Sequence, residues 1–171
     1  MKKTILSTVV IVTICLTQVS AQNSTTVPAI IAESFKKEFV SASNMRWENV
    51  SKDIILVRFN RQQDNLIAYF NKQGELMKWG KKITFDEAPK LVKEKLESTM
   101  KKYEKSNGKL FVTHVYEIIE EGTIRYYTNM GNDNLYLALV SNYNGGTRII
   151  KKAPSDPAKN DGVLLASQTI K

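Results

Sequence analysis

Residue types that carry thiol, redox and metal chemistry are nearly absent from this chain of 171 residues. It contains one cysteine, Cys15, and one histidine, His114. A disulfide joins two cysteines, so this chain cannot close one on itself. A catalytic triad needs a nucleophile whose base is itself oriented, and a lone histidine among scattered serines provides no such spacing. We therefore expect His114 to be a structural or exposed residue.

The acidic residues also form no pattern that indicates a metal or a catalytic site. The segment 156–162 lacks the alternate-residue spacing and the distal glutamate of a calcium loop. Glu117, Glu120 and Glu121 flank a predicted turn, and we expect them at a solvated hairpin end rather than in general acid–base chemistry. The sequence thus predicts no metal, no cofactor and no enzymatic activity.

The first 21 residues have the pattern of a secretory signal peptide. Lys2 and Lys3 give a positive start, the apolar stretch 5–16 follows, and Val19-Ser20-Ala21 supplies small residues. The apolar stretch is too short to span a membrane as a helix. We expect cleavage after Ala21, export to the periplasm or the extracellular space, and no transmembrane span.

The position of Cys15 inside this leader raises one alternative, a lipoprotein signal. Such a signal would acylate the cysteine, but Ile14 stands where those signals have a small residue. We therefore favour the cleaved signal peptide, and the mature chain from residue 22 onwards contains no cysteine.

Basic residues outnumber acidic ones, with 25 Lys and Arg against 17 Asp and Glu. Removal of Lys2 and Lys3 with the leader lowers the formal net charge from +8 to +6. The lysines are spread along the chain, and no arginine-rich patch with interleaved aromatic residues occurs. This distribution indicates solvated faces, so we expect no nucleic-acid partner.

Apolar residues recur at helical spacing in two segments, each opened by a proline. The first stripe follows Pro28 and consists of Ile31, Phe35 and Phe39. The second follows Pro89 and consists of Val92, Leu96, Met100 and Tyr103. Side chains three or four residues apart share one helix face, so both stripes predict amphipathic helices.

Around these helices the apolar period changes to two, which is typical of strands. The expected strands include 45–47, 54–59, 66–70 and 75–79, then 110–119, 123–128, 135–140 and 147–152. Short polar or glycine-containing turns separate them, as in an antiparallel meander. The sequence thus predicts an α+β fold in the order helix, four strands, helix, four strands.

Internal similarity indicates that this order is a tandem repeat. Asp64-Asn65-Leu66 recurs as Asp133-Asn134-Leu135 at the start of the third strand of each half. Coincidence between two similar meanders is the alternative. We predict a disordered segment over 22–26 and one domain over 27–152, divided into repeats 27–83 and 84–152. A flexible tail over 153–171 is expected to follow.

A set of residues in the first half carries a resemblance to a known family. The set is Pro28, Phe35, Phe39, Trp47, Phe59, Ala68-Tyr69-Phe70, Gly74 and Pro89. Their order resembles the PepSY-like domains of exported Bacteroidetes proteins, which are also described as β-lactamase-inhibitor-protein-like (BLIP-like) domains. The resemblance covers residues 27–152. It implies one helix on a four-stranded antiparallel sheet, twice, with the two sheets able to form a concave binding face.

The resemblance implies binding rather than catalysis. The inhibitor that gives the fold its name blocks an enzyme by inserting hairpin loops, although this chain lacks the inhibitor's disulfides. We expect a module that recognises a protein or a peptide through a sheet face and hairpin loops. Aromatic side chains suit this role because they give a large contact area at low entropic cost. The candidates are Trp79, Tyr116, Tyr127, Tyr136 and Tyr143.

Two alternatives stay open for these assignments. Each of the five aromatic residues can instead serve ordinary core or cross-strand packing. The protein can also be a binder of a small molecule or an envelope component, with a pocket between helix and sheet. This second function predicts a closed apolar cavity.

Overall fold

The fold is an α+β arrangement of two helices and one antiparallel sheet. The computed structural model describes residues 27–155. In chain order the elements are α1 (Ala29–Glu38), β1 (Ser43–Asn49), β2 (Ile54–Arg61), β3 (Asp64–Asn71), β4 (Leu76–Ile83), α2 (Lys90–Asn107), β5 (Phe111–Glu120), β6 (Thr123–Gly131), β7 (Tyr136–Asn142) and β8 (Thr147–Ala153). This order agrees with the periodicity of the sequence, whereas the duplication of the two halves stays a prediction.

Several predicted segments lie outside the described residues. These are the signal peptide over 1–21, the polar segment 22–26, and the predicted tail from residue 156 onwards. The first residue assigned to that tail, Ala153, is instead the last residue of β8. It pairs with Tyr136 of β7, so the sheet extends one residue beyond the predicted domain.

All eight strands form a single sheet, with the strands side by side in chain order. The resemblance implied two sheets, and this expectation is wrong. The two halves are joined where β4 pairs antiparallel with β5, from Lys78 opposite Glu120 to Ile83 opposite Val115. A free strand edge leaves backbone N–H and C=O groups without partners. The pairing of β4 with β5 gives hydrogen-bond partners to the backbone groups of both strands, which would otherwise each be an edge strand of a separate sheet.

Both helices lie on the same face of this sheet. In α1, Phe35 is buried and its ring lies 4.9 Å from that of Phe59, centroid to centroid. In α2, Val92 and Leu96 are buried in a separate cluster. Trp79 packs in the cluster of α1 and Ile83 in that of α2. These two residues lie four apart on β4, and a strand directs such residues to one face, so the helices share that face.

The opposite face, which we name the helix-free face, has an apolar cluster of its own. Its buried members are Ile54, Leu56, Ile67, Tyr69, Tyr116, Ile118, Tyr127 and Val140. Neither helix contributes to this cluster. The strands are therefore apolar on both faces at the centre of the sheet. Wide antiparallel sheets twist and curl, and this curvature brings the side chains of the helix-free face against one another.

Gly80 lies on β4 at the point where the two halves join. A Cβ atom there would overlap the carbonyl oxygen of Glu117 and lie 2.8 Å from Cα of Ile118. The backbones of β4 and β5 are thus closer than any other residue at this position would allow.

We predict that Gly80→Ala destabilises the whole domain by about 3 kcal/mol, because a side chain forced against backbone atoms cannot be accommodated by a rotamer change. Gly122→Ala is the control, since a Cβ at Gly122 meets nothing within 4 Å and only its φ of +71° opposes the change. We expect the control to cost about 1 kcal/mol. Urea unfolding measures both, and equal costs would contradict the close approach.

Candidate functional site

A groove of about 970 Å³ lies on the helix-free face and is formed by strands β1 to β5. Its walls carry charged, amide and aromatic groups, and apolar side chains lie between them. The charged and aromatic groups that line it include Arg46, Glu48, Arg58, Lys82, His114 and Tyr116. Because strands of one hydrogen-bonded sheet hold these groups, their relative positions are fixed by backbone pairing rather than by mobile loops.

The groove carries more positive than negative charge. Arg46 on β1 and Arg58 on β2 are direct cross-strand partners. The Nη2 atom of Arg58 lies 3.7 Å from Oε2 of Glu48, in a pair that is more than a third exposed on both sides. Arg46 and Lys82 are exposed and form no ion pair within residues 27–155. One carboxylate thus faces three cations.

A buried charged network lies on the same face, centred on Lys78. This side chain is only 3% exposed, and its Nζ lies 3.8 Å from Oε1 of Glu120. The same ammonium lies 5.0 Å from the ring centroid of Tyr69 and 5.6 Å from that of Tyr127. Two aromatic faces and one carboxylate thus replace the water that a lysine ordinarily keeps.

Glu120 is the acceptor that holds this network together. Its Oε2 accepts a hydrogen bond from the Tyr127 hydroxyl at 3.2 Å and lies 3.5 Å from Nε of Arg125. The sequence analysis expected Glu120 at a solvated hairpin end, and this is wrong, because its side chain is only 18% exposed. Glu120 is thus the shared partner of Lys78, Tyr127 and Arg125.

Burial dominates the protonation behaviour of this network. Desolvation lowers the pKa of Lys78, and the negative charge of Glu120 opposes the shift. Desolvation raises the pKa of Tyr127 to about 12, and Glu120 adds to the effect. The pKa of Tyr69 is raised well above its usual range by burial, with Arg58 acting in the opposite direction. Both tyrosines therefore stay neutral at physiological pH.

The described part of the chain offers neither a metal site nor a membrane-spanning helix. Within residues 27–155 no three His, Cys, Asp or Glu side chains are grouped so that they could hold a metal ion. In the same part of the chain neither helix combines the length and the apolar character needed to cross a bilayer.

The structure brings two of the five predicted aromatic residues together. Tyr116 lines the groove, with its ring stacked on that of His114 at a centroid distance of 6.0 Å. Tyr127 is its cross-strand partner and belongs to the buried network. Tyr136 also lies on the helix-free face, farther along the sheet on β7, and is buried beside Ala138. The binding role of these residues stays a prediction.

The other two predicted residues lie elsewhere. Trp79 is half-buried under α1 on the helix-bearing face, where its ring lies 5.9 Å from that of Phe39. Tyr143 is 64% exposed in the turn between β7 and β8. Of the five candidates, only Tyr143 presents most of its ring to solvent, so the aromatic set does not form one exposed patch.

The sequence analysis missed the cations of the groove. Arg58 lies in β2 on the same face as Ile54 and Leu56. A charged residue on an otherwise apolar strand face is unusual, and this pattern could have identified Arg58 from the sequence. Arg46 and Lys82 gave no such signal, because their strands read as ordinary half-exposed segments. His114 is half-buried in the groove wall. Its position there follows from the pairing of the strands, which the sequence alone does not give.

A second, smaller cleft of about 310 Å³ lies on the helix-bearing face next to Trp79. Lys81 and Glu117 line it, and exposed Arg61 and Asp64 leave it open to solvent. The small-molecule alternative predicted a closed apolar cavity, and this cleft is open and partly charged.

We predict that Glu120→Gln destabilises the domain by about 3 kcal/mol, because it leaves the Lys78 ammonium buried without its counterion. The double variant Lys78→Met/Glu120→Gln should recover most of this loss. Glu94→Gln, which breaks the exposed Lys90–Glu94 pair, is the control and should cost less than about 1 kcal/mol. Urea unfolding at neutral pH measures all three, and equal losses in the two single variants would contradict the buried network.

Comparisons with known proteins support the fold. No protein-family model matches the chain, and a search of curated proteins finds no match. Solved structures do match. A DUF2874 family protein from Bacteroides uniformis has a TM-score of 0.60 and 16% identity, and the alignment covers 75% of this chain and 89% of that one. A BLIP-like protein from Bacteroides fragilis has a TM-score of 0.57 and 14% identity, and the alignment covers 75% of this chain and 88% of that one.

A third solved structure, from Bacteroides eggerthii, carries the provisional description of a periplasmic protein. Its TM-score is 0.59 at 14% identity, with 74% of this chain and 88% of that chain covered. Identities this low establish likeness of fold alone. The PepSY part of the resemblance stays a prediction, and the conclusion from these comparisons is that the chain has a BLIP-like fold.

Proposed function

We propose that this protein is an exported, non-catalytic binding module that recognises a protein or a peptide through the helix-free face and the hairpins beside it. The observation that carries the proposal is the groove of about 970 Å³ on a sheet face that neither helix covers. The signal-peptide pattern of residues 1–21 and the provisional periplasmic description of one structural relative support export.

The sheet supports this role because it presents the groove on a rigid scaffold. Strands β2 to β5 are each hydrogen-bonded on both sides, and β1 is bonded to β2. Little conformational entropy is therefore lost when a partner engages them. Beside the groove on the same face, the Lys78–Glu120 network and the cluster of buried tyrosines resist rearrangement. A partner would thus meet a surface that is already formed.

The hairpin between β2 and β3 gives the groove one of its borders. Asn60 and Asn65 are cross-strand partners next to its turn, and both line the groove. Side-chain amides both donate and accept hydrogen bonds, as a peptide backbone requires of its partner. This arrangement supports recognition of a polypeptide by the sheet face together with a hairpin.

The pairing of the buried charged groups with one another supports a role without catalysis. Glu120 accepts a hydrogen bond from Tyr127 and lies within ion-pair distance of Lys78 and Arg125, and Tyr127 keeps its proton far above neutral pH. The BLIP-like fold points the same way, because the inhibitor that names it acts by binding an enzyme.

Capture experiments test the proposal. The mature chain, residues 22–171, is immobilised and exposed to envelope extract of the source bacterium, with free protein as competitor. We expect saturable capture of a polypeptide partner that Asn65→Trp reduces at least about tenfold, because the indole would fill the groove. Ser98→Trp on the exposed surface of α2 is the matched control and should bind as the unchanged protein does. Equal capture by both variants, or no saturable partner, would contradict the proposal.

A second candidate function, the binding of a small molecule or an envelope component, would use the cleft beside Trp79, which is open and partly charged rather than closed and apolar. Here the half-buried indole would stack on the ligand, and Lys81 and Glu117 would orient it. A panel of such compounds would then raise the melting temperature of the unchanged protein but not that of Trp79→Phe. If no compound separates the two proteins, the cleft is not a binding site and this candidate fails.

A further inference from the structure

Two arginines oppose each other at the edge of the sheet, and packing does not explain them. Arg46 and Arg58 are Cα partners in the β1–β2 register, so their side chains lie on one face. Like charges directly opposite each other destabilise an antiparallel pair. Glu48 lies 3.7 Å from Arg58, and both side chains of this pair are exposed enough for solvent to screen them. The repulsion is therefore only partly offset within the protein.

A local irregularity in β1 sets this unfavourable position. The register shifts between Ser43 and Arg46, as in a β-bulge. Asn44, inside the irregularity, has a φ of +52°, in the left-handed region that asparagine adopts more readily than other non-glycine residues. Bulges re-aim the side chains that follow them. Here the irregularity ends at Arg46, which faces another arginine.

A third cation stands across the groove. Lys82 on β4 is exposed, lines the groove, and has no ion-pair partner within residues 27–155. The two walls of the groove therefore both carry positive charge. Guanidinium groups bind carboxylates in a two-pronged geometry, and an ammonium adds a point charge to such a site.

The rest of the lining favours a polypeptide over other anions. Asn60 and Asn65 offer donors and acceptors to a peptide backbone. Met45, which is 48% exposed, and Ile67 supply apolar contact between the cations. A free phosphate would use the cations alone and leave these groups without a role.

We infer that the groove on the helix-free face binds an acidic segment of a partner protein, whose carboxylates are held by Arg46, Arg58 and Lys82. The inference rests on the proposed function and names the chemistry of the partner. The ligand offsets the repulsion of the arginine pair, so the protein is strained at this edge when empty and relaxed when occupied.

Peptide binding to the folded mature protein tests the inference. The probe is an array of fluorescent ten-residue peptides with zero to four Asp or Glu residues, together with matched Asn and Gln versions. We expect affinity to rise with the number of carboxylates and to fall as sodium chloride is added. Arg46→Gln/Lys82→Gln should weaken binding of the acidic peptides at least about tenfold. Lys101→Gln/Lys105→Gln on α2 removes the same charge elsewhere and should change affinity by less than about twofold.

A thermal melt of the same variants separates this role from a structural one. Because Arg46→Gln/Lys82→Gln removes the repulsion between the arginines, it should melt no lower than the unchanged protein. A clear fall in melting temperature would overturn the argument, since the two cations would then contribute to the fold.

Three other results would also overturn the inference. These are equal binding of neutral and acidic peptides, binding of inorganic phosphate or dextran sulfate without any binding of acidic peptides, and no binding of any probe up to about 1 mM. Failure of this inference is distinguishable from failure of the proposed function. If envelope capture is lost in Asn65→Trp but unchanged in Arg46→Gln/Lys82→Gln, the proposed function stands and the inference fails, because the groove binds a partner that is not acidic.

Discussion

The pairing of β4 with β5 is the interaction on which the rest of the structure depends. It turns two four-stranded units into one continuous surface, with six residue pairs from Lys78–Glu120 to Ile83–Val115. Gly80 allows the close approach of the two backbones. The same register places Lys78 opposite Glu120 on the helix-free face. A slip by one residue would place the two charges on opposite faces of the sheet, so the buried ion pair and the strand pairing support each other.

One face of this surface carries both helices, and the other carries the groove. Both helices cover the same side, where aromatic and aliphatic clusters form most of the core. On the helix-free face, the buried tyrosines and Lys78 pack against one another over the concave part of the sheet, and the groove lies beside them. The edge with Arg46 opposite Arg58 gives up some stability. Such a cost is expected at positions used for recognition rather than for folding.

Local patterns in the sequence predicted the elements but not how they assemble. The stripe of Ile31 and Phe35 indicated α1, and alternation around β2 indicated a strand, because both signals come from neighbouring residues. A periodic pattern does not say whether β4 pairs with β5 or ends a separate sheet. The groove depends on that same long-range register. Tyr116 was predicted as a candidate from its residue type alone, and it lines the groove. Arg46 could be recognised as a candidate only from the strand pairing that places it opposite Arg58.

Amide hydrogen exchange of the folded protein tests the central claim, that one sheet runs through both halves, most directly. If it does, the amides of β4 and β5 that bond across the join exchange as slowly as those between β2 and β3 or between β6 and β7. All of them should then open only with global unfolding. Rapid exchange along β4 and β5, with the inner strands of each half still protected, would show two separate sheets and contradict the account.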